Sequence, residues 1–168
     1  MKKFDKKIQS KIINIILIIA WMGIVFGFSN QGGTKSGNTS RKVTVTVVQA
    51  VSDKTIEENE QIIEISEKII RKMAHYTIYM VGGCLIINYA YTTSQNTKKK
   101  ILYSTIFGAC YAITDEIHQY FVPGRSARLF DVGIDTLGVI TGIFIYLALI
   151  TMIDKLSQKY GRKLLDDA

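Results

Sequence analysis

Four stretches of this sequence run long without charge, and a folded chain has to put that much apolar surface somewhere. Ile12–Phe28 is 17 residues with no ionisable group, Met73–Thr93 is 21 residues in which only His75 titrates, and Ile101–Thr114 and Leu137–Ile153 are also charge-free. A helix rises about 1.5 Å per residue and needs about 20 residues to cross roughly 30 Å of hydrocarbon, so each run is long enough once its flanks are added. The pattern predicts an all-α, polytopic integral membrane protein with one domain over 1–168. Its core is a bundle of four transmembrane helices near 11–29, 73–93, 101–121 and 132–153, with an outer loop 29–72 and an inner tail 154–168. The modest mean hydropathy follows from the polar loop and charged tails.

A net charge of +7 would point to nucleic acid in a soluble protein, but here its distribution speaks to topology. With the N-terminus cytoplasmic, the inner segments hold twelve cations against four acids, and the outer ones nine against ten. Excess Lys and Arg in short inner segments is the positive-inside pattern, so both termini are expected in the cytoplasm and no nucleic-acid partner is expected. The first helix has the charged front of a secretory signal without a clean small-x-small cleavage site. Trp21, Phe26 and Phe28 suit a retained anchor. Cys84 and Cys110 fall inside predicted helices without metal-like spacing and read as small packing residues. Gly82-Gly83, Gly108 with Ala112, and Gly138-xxx-Gly142 place small residues where helices can approach closely.

The outer segment divides into three. Phe28-Ser29-Asn30-Gln31-Gly32-Gly33 is a polar exit from the first helix, and Gly, Ser, Thr and Asn continue to Ser40 as a loop. Residues 41–51 alternate valine and threonine, a run too short for periodicity to choose between strand and helix. Over Thr55–Lys72, Ile62, Ile65, Ile69 and Met73 recur at helical spacing with glutamates largely elsewhere on the wheel. That predicts an amphipathic helix lying on the outer surface or capping the bundle.

The most informative stretch is Asp115 to Asp135, which sets four acids, a histidine and two arginines into 21 residues beside runs suited to lipid. Ionisable groups at a bilayer centre cost roughly 2.5–3.5 kcal/mol each on insertion scales, so they mark function by default. The predicted topology brings three helix ends to one outer level. Arg71, Lys72 and His75 open the second helix, Asp115, Glu116, His118 and Gln119 close the third, and Asp131 and Asp135 open the fourth. Arg71/His75, Asp131/Asp135 and Asp115/His118/Gln119 are three or four residues apart, so each set shares a face. The simplest arrangement is a pocket lined by His75, Asp115 or Glu116, His118 and Asp135 and rimmed by Arg71, Arg125 and Arg128. A plainer reading lets the four acids (Asp115, Glu116, Asp131, Asp135) and four bases (Arg71, Lys72, Arg125, Arg128) neutralise one another as buried ion pairs that hold the helices in register.

These residues form a long combined motif: Arg71-Lys72-x-x-His75 with Tyr79, Asp115-Glu116-x-His118-Gln119-x-Phe121-x-Pro123-Gly124-Arg125, and Asp131-xxx-Asp135-xx-Gly138. The motif, the Ser29-Asn30-Gln31 exit and the four-span layout resemble the VanZ-like membrane proteins, a family named for a member associated with teicoplanin resistance. The resemblance covers nearly the whole chain and implies a multi-pass protein of the bacterial cell membrane.

Three mechanistic readings follow. In the preferred one, Arg71, Lys72, Gln119, Arg125, Arg128, Asp131 and Asp135 form a binding site. The guanidiniums grip a phosphate or carboxylate of an outer-leaflet lipid or lipid-linked cell-wall precursor, masking what a lipoglycopeptide would bind. In the second, His75, His118 and a carboxylate (Glu116 or Asp115) act as acid and base, or as ligands of a divalent metal, in hydrolysis or transfer on a lipid headgroup. No HExxH, GxSxG or phosphate-loop signature accompanies them, and Ser126 reads as a turn residue rather than a nucleophile. The third, a proton-coupled carrier, ranks last because the inner halves lack matching polar groups. No cofactor, metal or oligomeric state is assigned by the residues.

Overall fold

The structure, a computed structural model, describes residues 2–51, 60–93, 95–125 and 127–166. Every element among them is an α-helix: α1 (Lys2–Ser29), α2 (Gly33–Val51), α3 (Glu60–Tyr91), α4 (Thr97–Tyr120) and α5 (Leu129–Asp166). Helix α3 is the hub and touches all four others. Its most extensive packing is on α5, while α1 and α5 each also meet α4; among the described residues α2 meets only α3. Stretches of α1 (Ile8–Ser29) and α5 (Leu129–Lys159) are long and apolar enough to cross a membrane. Helix α3, diluted by its tyrosines, His75 and Asn88, and α4, diluted by Asp115, Glu116 and His118, fall short of that mark.

The outer segment differs from the sequence reading in two ways. The stretch expected to be loop up to Ser40 is already helical from Gly33, and the undecided run 41–51 is helix as well. Gly, Ser, Thr and Val are weak helix formers, so the stabilisation is tertiary. Thr44 is buried, and Arg41 reaches across to α3, with its guanidinium 2.9 Å from Glu60 and 3.4 Å from Glu67 two turns further on. The amphipathic helix, in turn, is not a separate element. Among the described residues it starts at Glu60 and continues without a break into the second apolar run as a single 32-residue helix. No proline or glycine falls before Gly82 to interrupt it. Its stripe Ile62, Ile65, Ile69 and Met73 faces outward and runs on into exposed Val81, while Ile63 between them is buried. Glu57 and Glu58 lie outside the described residues.

The Arg41–Glu60 hydrogen bond holds the Glu60 carboxyl below its usual pKa and raises that of Arg41. A carboxyl depressed in the folded state stabilises above its ordinary pKa, about 4.3, and loses that contribution as pH falls through the lower folded value. Both groups are exposed, so the effect is small. Amide exchange in α2, corrected for its intrinsic pH dependence, should accelerate below about pH 4.3. The acceleration should vanish in Arg41→Ala.

The centre of the bundle is aromatic. Trp21, read as part of a retained anchor, is a core residue: its Nε1 donates to the Ile78 carbonyl at 2.9 Å, and its ring meets Tyr79 edge-on at 5.7 Å and Tyr111 at 5.0 Å. Gly82 makes room for it, since a Cβ there would overlap the indole. Glycines also set the α3/α5 crossing. Cβ atoms at Gly138 and Gly142 would overlap the carbonyl oxygens of Tyr76 and Met80, and one at Gly83 would overlap that of Val139. Cys84 fits the packing role expected of it, with Sγ 3.1 Å from the Gly142 carbonyl, whereas Cys110 is exposed.

Outward-facing positions are apolar on every long helix: Ile12, Ile16 and Ile19 on α1, Leu102, Ile106, Ile113 and Ile117 on α4, and Leu137, Phe144 and Ile153 on α5. Soluble monomers rarely expose apolar surface in such continuous bands. The inner tail 154–168 was expected to follow the last span as a separate extension. In the structure α5 carries on through it as helix to Asp166.

Candidate functional site

One feature of backbone geometry assembles the site: the sharp return between α4 and α5. The Arg125 amide donates to the Val122 carbonyl at 3.1 Å, with Pro123 and Gly124 between and Gly124 at φ 76°. Proline followed by a residue of positive φ is the type II signature, and only glycine adopts that φ without strain. The turn drops Arg125 beside the end of α1. There its Nε donates to the Gln31 carbonyl (3.1 Å), Nη2 to the Phe28 carbonyl (3.1 Å) and Nη1 to Gln119 Oε1 (3.0 Å). One guanidinium thus caps two carbonyls at the end of α1, one of them shared with the Gln31 amide, and ties α1 to α4. Burial, with the charge of Arg71 nearby, holds its pKa below the usual arginine value.

Gln119 is the pivot of this network. Its Nε2 donates to Asp115 Oδ2 at 3.0 Å and lies 3.4 Å from Ser29 Oγ, so the polar exit of the first helix does meet the end of α4. Glu116 accepts the backbone N–H of Arg128 and thereby fixes the start of α5. Lys72 Nζ lies 2.8 Å from Asp131 and 4.4 Å from the Phe130 ring centroid.

Between these groups is a cavity of about 160 Å³ lined by Arg71, Lys72, His75, Glu116, Gln119, Gly124, Arg125, Arg128, Asp131, Ile134 and Asp135. Three helix ends separated in sequence therefore do converge. Two sequence candidates are not in its wall. Asp115 lies buried behind Gln119, within reach of His75 and Asp135. His118 faces away, stacked on Phe26 with ring centroids 4.3 Å apart and its Nε2 buried without a partner. The reason is angular. At about 100° per residue, Asp115, Glu116 and Gln119 fit within one face, while His118 is roughly 160° from Glu116 and turns toward α1. Ser126 lies outside the described residues.

The ion-pairing reading accounts for only part of the charge. Lys72 pairs with Asp131, and His75 Nδ1 stands 3.7 Å from Asp135 Oδ2. Among the described residues, Arg71 and Arg128 have no carboxylate within ion-pair distance, although both line the cavity. A second, apolar groove of about 290 Å³ adjoins the first and shares Arg71, His75 and Arg125 with it, its other walls including Val25, Phe28, Val43, Ile70, Ala74 and Ile78.

A family model described as VanZ/LLP1 matches residues 14–151.

The chain belongs to the VanZ/LLP1 family.

No curated protein and no solved structure matches it. The matched span takes in every residue of the cavity, and VanZ/LLP1 membership together with the apolar α1 and α5 makes this a membrane protein.

Sequence reasoning missed a polar network at the other end of the bundle. Asn88 Nδ2 donates to Asn14 Oδ1 at 3.0 Å, and the Tyr146 hydroxyl donates to Asn88 Oδ1 at 2.9 Å, joining α1, α3 and α5. The inner halves were expected to lack polar groups. These three are not charged at neutral pH, so a search for ionisable residues passes over them. The signal was a lone asparagine in each of two apolar runs.

Proposed function

We propose that this VanZ/LLP1 protein binds an amphipathic anion of the bacterial cell envelope. A phosphate or carboxylate headgroup of an outer-leaflet lipid or lipid-linked cell-wall precursor sits in the polar cavity, and its chain lies in the adjoining apolar groove. The observation that carries this reading is the shared wall: Arg71, His75 and Arg125 border both spaces. A site for a soluble anion needs the first space but has no use for the second. The guanidiniums of Arg71 and Arg128, with no carboxylate partner among the described residues, supply planar donors suited to phosphate or carboxylate, whereas Arg125 is committed to the end of α1 and to Gln119.

In the bilayer, α1, α3, α4 and α5 span, with both termini cytoplasmic by the Lys and Arg excess of the inner segments. The exposed Tyr120, Phe121 and Phe130, flanking the return between α4 and α5, suit the headgroup level, where aromatic rings collect. A contribution to teicoplanin-type resistance follows if the occupied site masks or displaces what a lipoglycopeptide binds.

Native mass spectrometry of the detergent-purified protein tests the reading. Wild type should retain phosphatidylglycerol over phosphatidylcholine. The Arg71→Ala/Arg128→Ala double variant should lose at least about tenfold in that preference, since a hydrogen bond to a charged group contributes about 1.5–3 kcal/mol. Lys98→Ala/Lys99→Ala, at the opposite end, should not change it. Equal retention of both lipids by wild type would refute the proposal.

A further inference from the structure

Beneath the cavity, three helices bring together His75 (α3), Asp115 (α4) and Asp135 (α5), each offering one ligand atom within 4.8 Å of the other two. The two carboxylates are 4% and 1% exposed, and in each the Oδ1 atom is buried without a hydrogen-bond partner. Two carboxylates so close and so dry are costly unless something positive or protic lies between them. His75 does not fill that role by hydrogen bonding, because 3.7 Å to Asp135 exceeds the usual 2.7–3.2 Å.

We infer that His75, Asp115 and Asp135 form a binding site for a divalent transition cation of the zinc or manganese class. One imidazole and two carboxylates are a borderline-to-hard donor set of the kind these ions take, and three protein ligands leave a coordination position open. Three ligand atoms spread evenly at about 2.1 Å around one ion lie about 3.6 Å apart, so a trio within 4.8 Å of one another closes on a cation with shifts of at most about 0.7 Å per atom, within the reach of small side-chain rotations. Gln119 already holds Asp115 from behind through its other oxygen, fixing the carboxylate as a ligand must be fixed. His75 and Asp135 also line the cavity, so the open position faces the space bordered by Arg71 and Arg128. The site stands on these three residues alone and does not depend on what enters the cavity above.

The test is equilibrium dialysis of the full chain in detergent, lipid-free, against Zn²⁺ and separately Mn²⁺, with bound metal counted by inductively coupled plasma mass spectrometry. One ion per chain is expected. Asp135→Asn, which keeps the side-chain shape, and His75→Gln should each weaken binding by about a hundredfold or more. His118→Gln, on the far side of α4, should bind as wild type. With Co²⁺ in place of the probe ion, a visible absorption band should appear in wild type and shift in His75→Gln. Absence of stoichiometric metal in wild type, or unchanged affinity in both Asp135→Asn and His75→Gln, overturns the inference. Lipid retention measured in the presence of a chelator reports on the headgroup reading separately.

Discussion

Gly142→Val is expected to remove the folded protein from detergent solution, whereas Gly133→Ala leaves it intact. A Cβ at position 142 would overlap the Met80 carbonyl, which is backbone and cannot rotate aside, so α3 and α5 would have to separate along their most extensive contact. Separation would also break the contact of Cys84 with the Gly142 carbonyl. Overpacking usually costs roughly 1–3 kcal/mol when side chains can adjust, and at least about 3 kcal/mol is expected here. At Gly133 a Cβ meets nothing within 4 Å. Alanine there should be neutral or gain up to about 1 kcal/mol of helix propensity. Thermal unfolding and size-exclusion profiles of the two variants in the same detergent check the contrast.

Arg125→Ala is the second large effect. It removes three hydrogen bonds from one charged group, two to carbonyls at the end of α1 and one to the buried Gln119; the Gln31 carbonyl and Gln119 Oε1 lose this donor, while the Phe28 carbonyl still accepts from the Gln31 amide. Bonds to charged groups contribute about 1.5–3 kcal/mol each, so even with partial exposure a loss of about 3–5 kcal/mol is expected. Arg125→Lys should recover only a minor part, because an ammonium cannot serve three acceptors spread around a planar fork. Hydrogen exchange should locate the damage at the end of α1 around Phe28–Gln31. A loss spread evenly over all helices would argue that Arg125 is not the tie described here.

The sequence carried the site further than the elements that hold it. Arg71, His75, Asp131 and Asp135 were legible because ionisable groups beside apolar runs stand out, and helical spacing put each pair on one face. That they meet at one end of the bundle followed from the alternating directions of the predicted helices. His118 was misplaced because spacing from Asp115 gives two neighbouring faces, i+3 and i+4, and only packing decides which one turns toward α3. Gln119 took the inner face and His118 took Phe26. The role of Arg125 was also hidden. A guanidinium next to a turn reads as a ligand for an anion, and nothing local says that its acceptors are carbonyls 94 and 97 residues away.

The outer segment failed for a different reason. Gly, Ser and Thr in 33–40 have weak propensity for helix, and α2 is held by packing on α3, where Arg41 pairs with Glu60 and Glu67 and Thr44 is buried. In α3 the isoleucine stripe was read correctly as helical, and what that stripe faces was left open between the outer surface and the bundle. Periodicity reports that one face is apolar but not whether that face meets protein or lipid, and Ile62, Ile65, Ile69 and Met73 are the outward side of a helix whose inner positions include Ile63.

The claim that one amphipathic molecule occupies both spaces is tested most directly by photo-crosslinking in vesicles with a phosphatidylglycerol carrying a diazirine midway along one chain. Crosslinked peptides should concentrate on the groove walls, at Val43 in α2 and Ile70 and Ile78 in α3. That enrichment should disappear in Arg71→Ala/Arg128→Ala while general labelling persists. Labelling spread evenly over the outward faces of α1, α4 and α5, and unchanged by the two substitutions, would mean that lipid merely surrounds this protein.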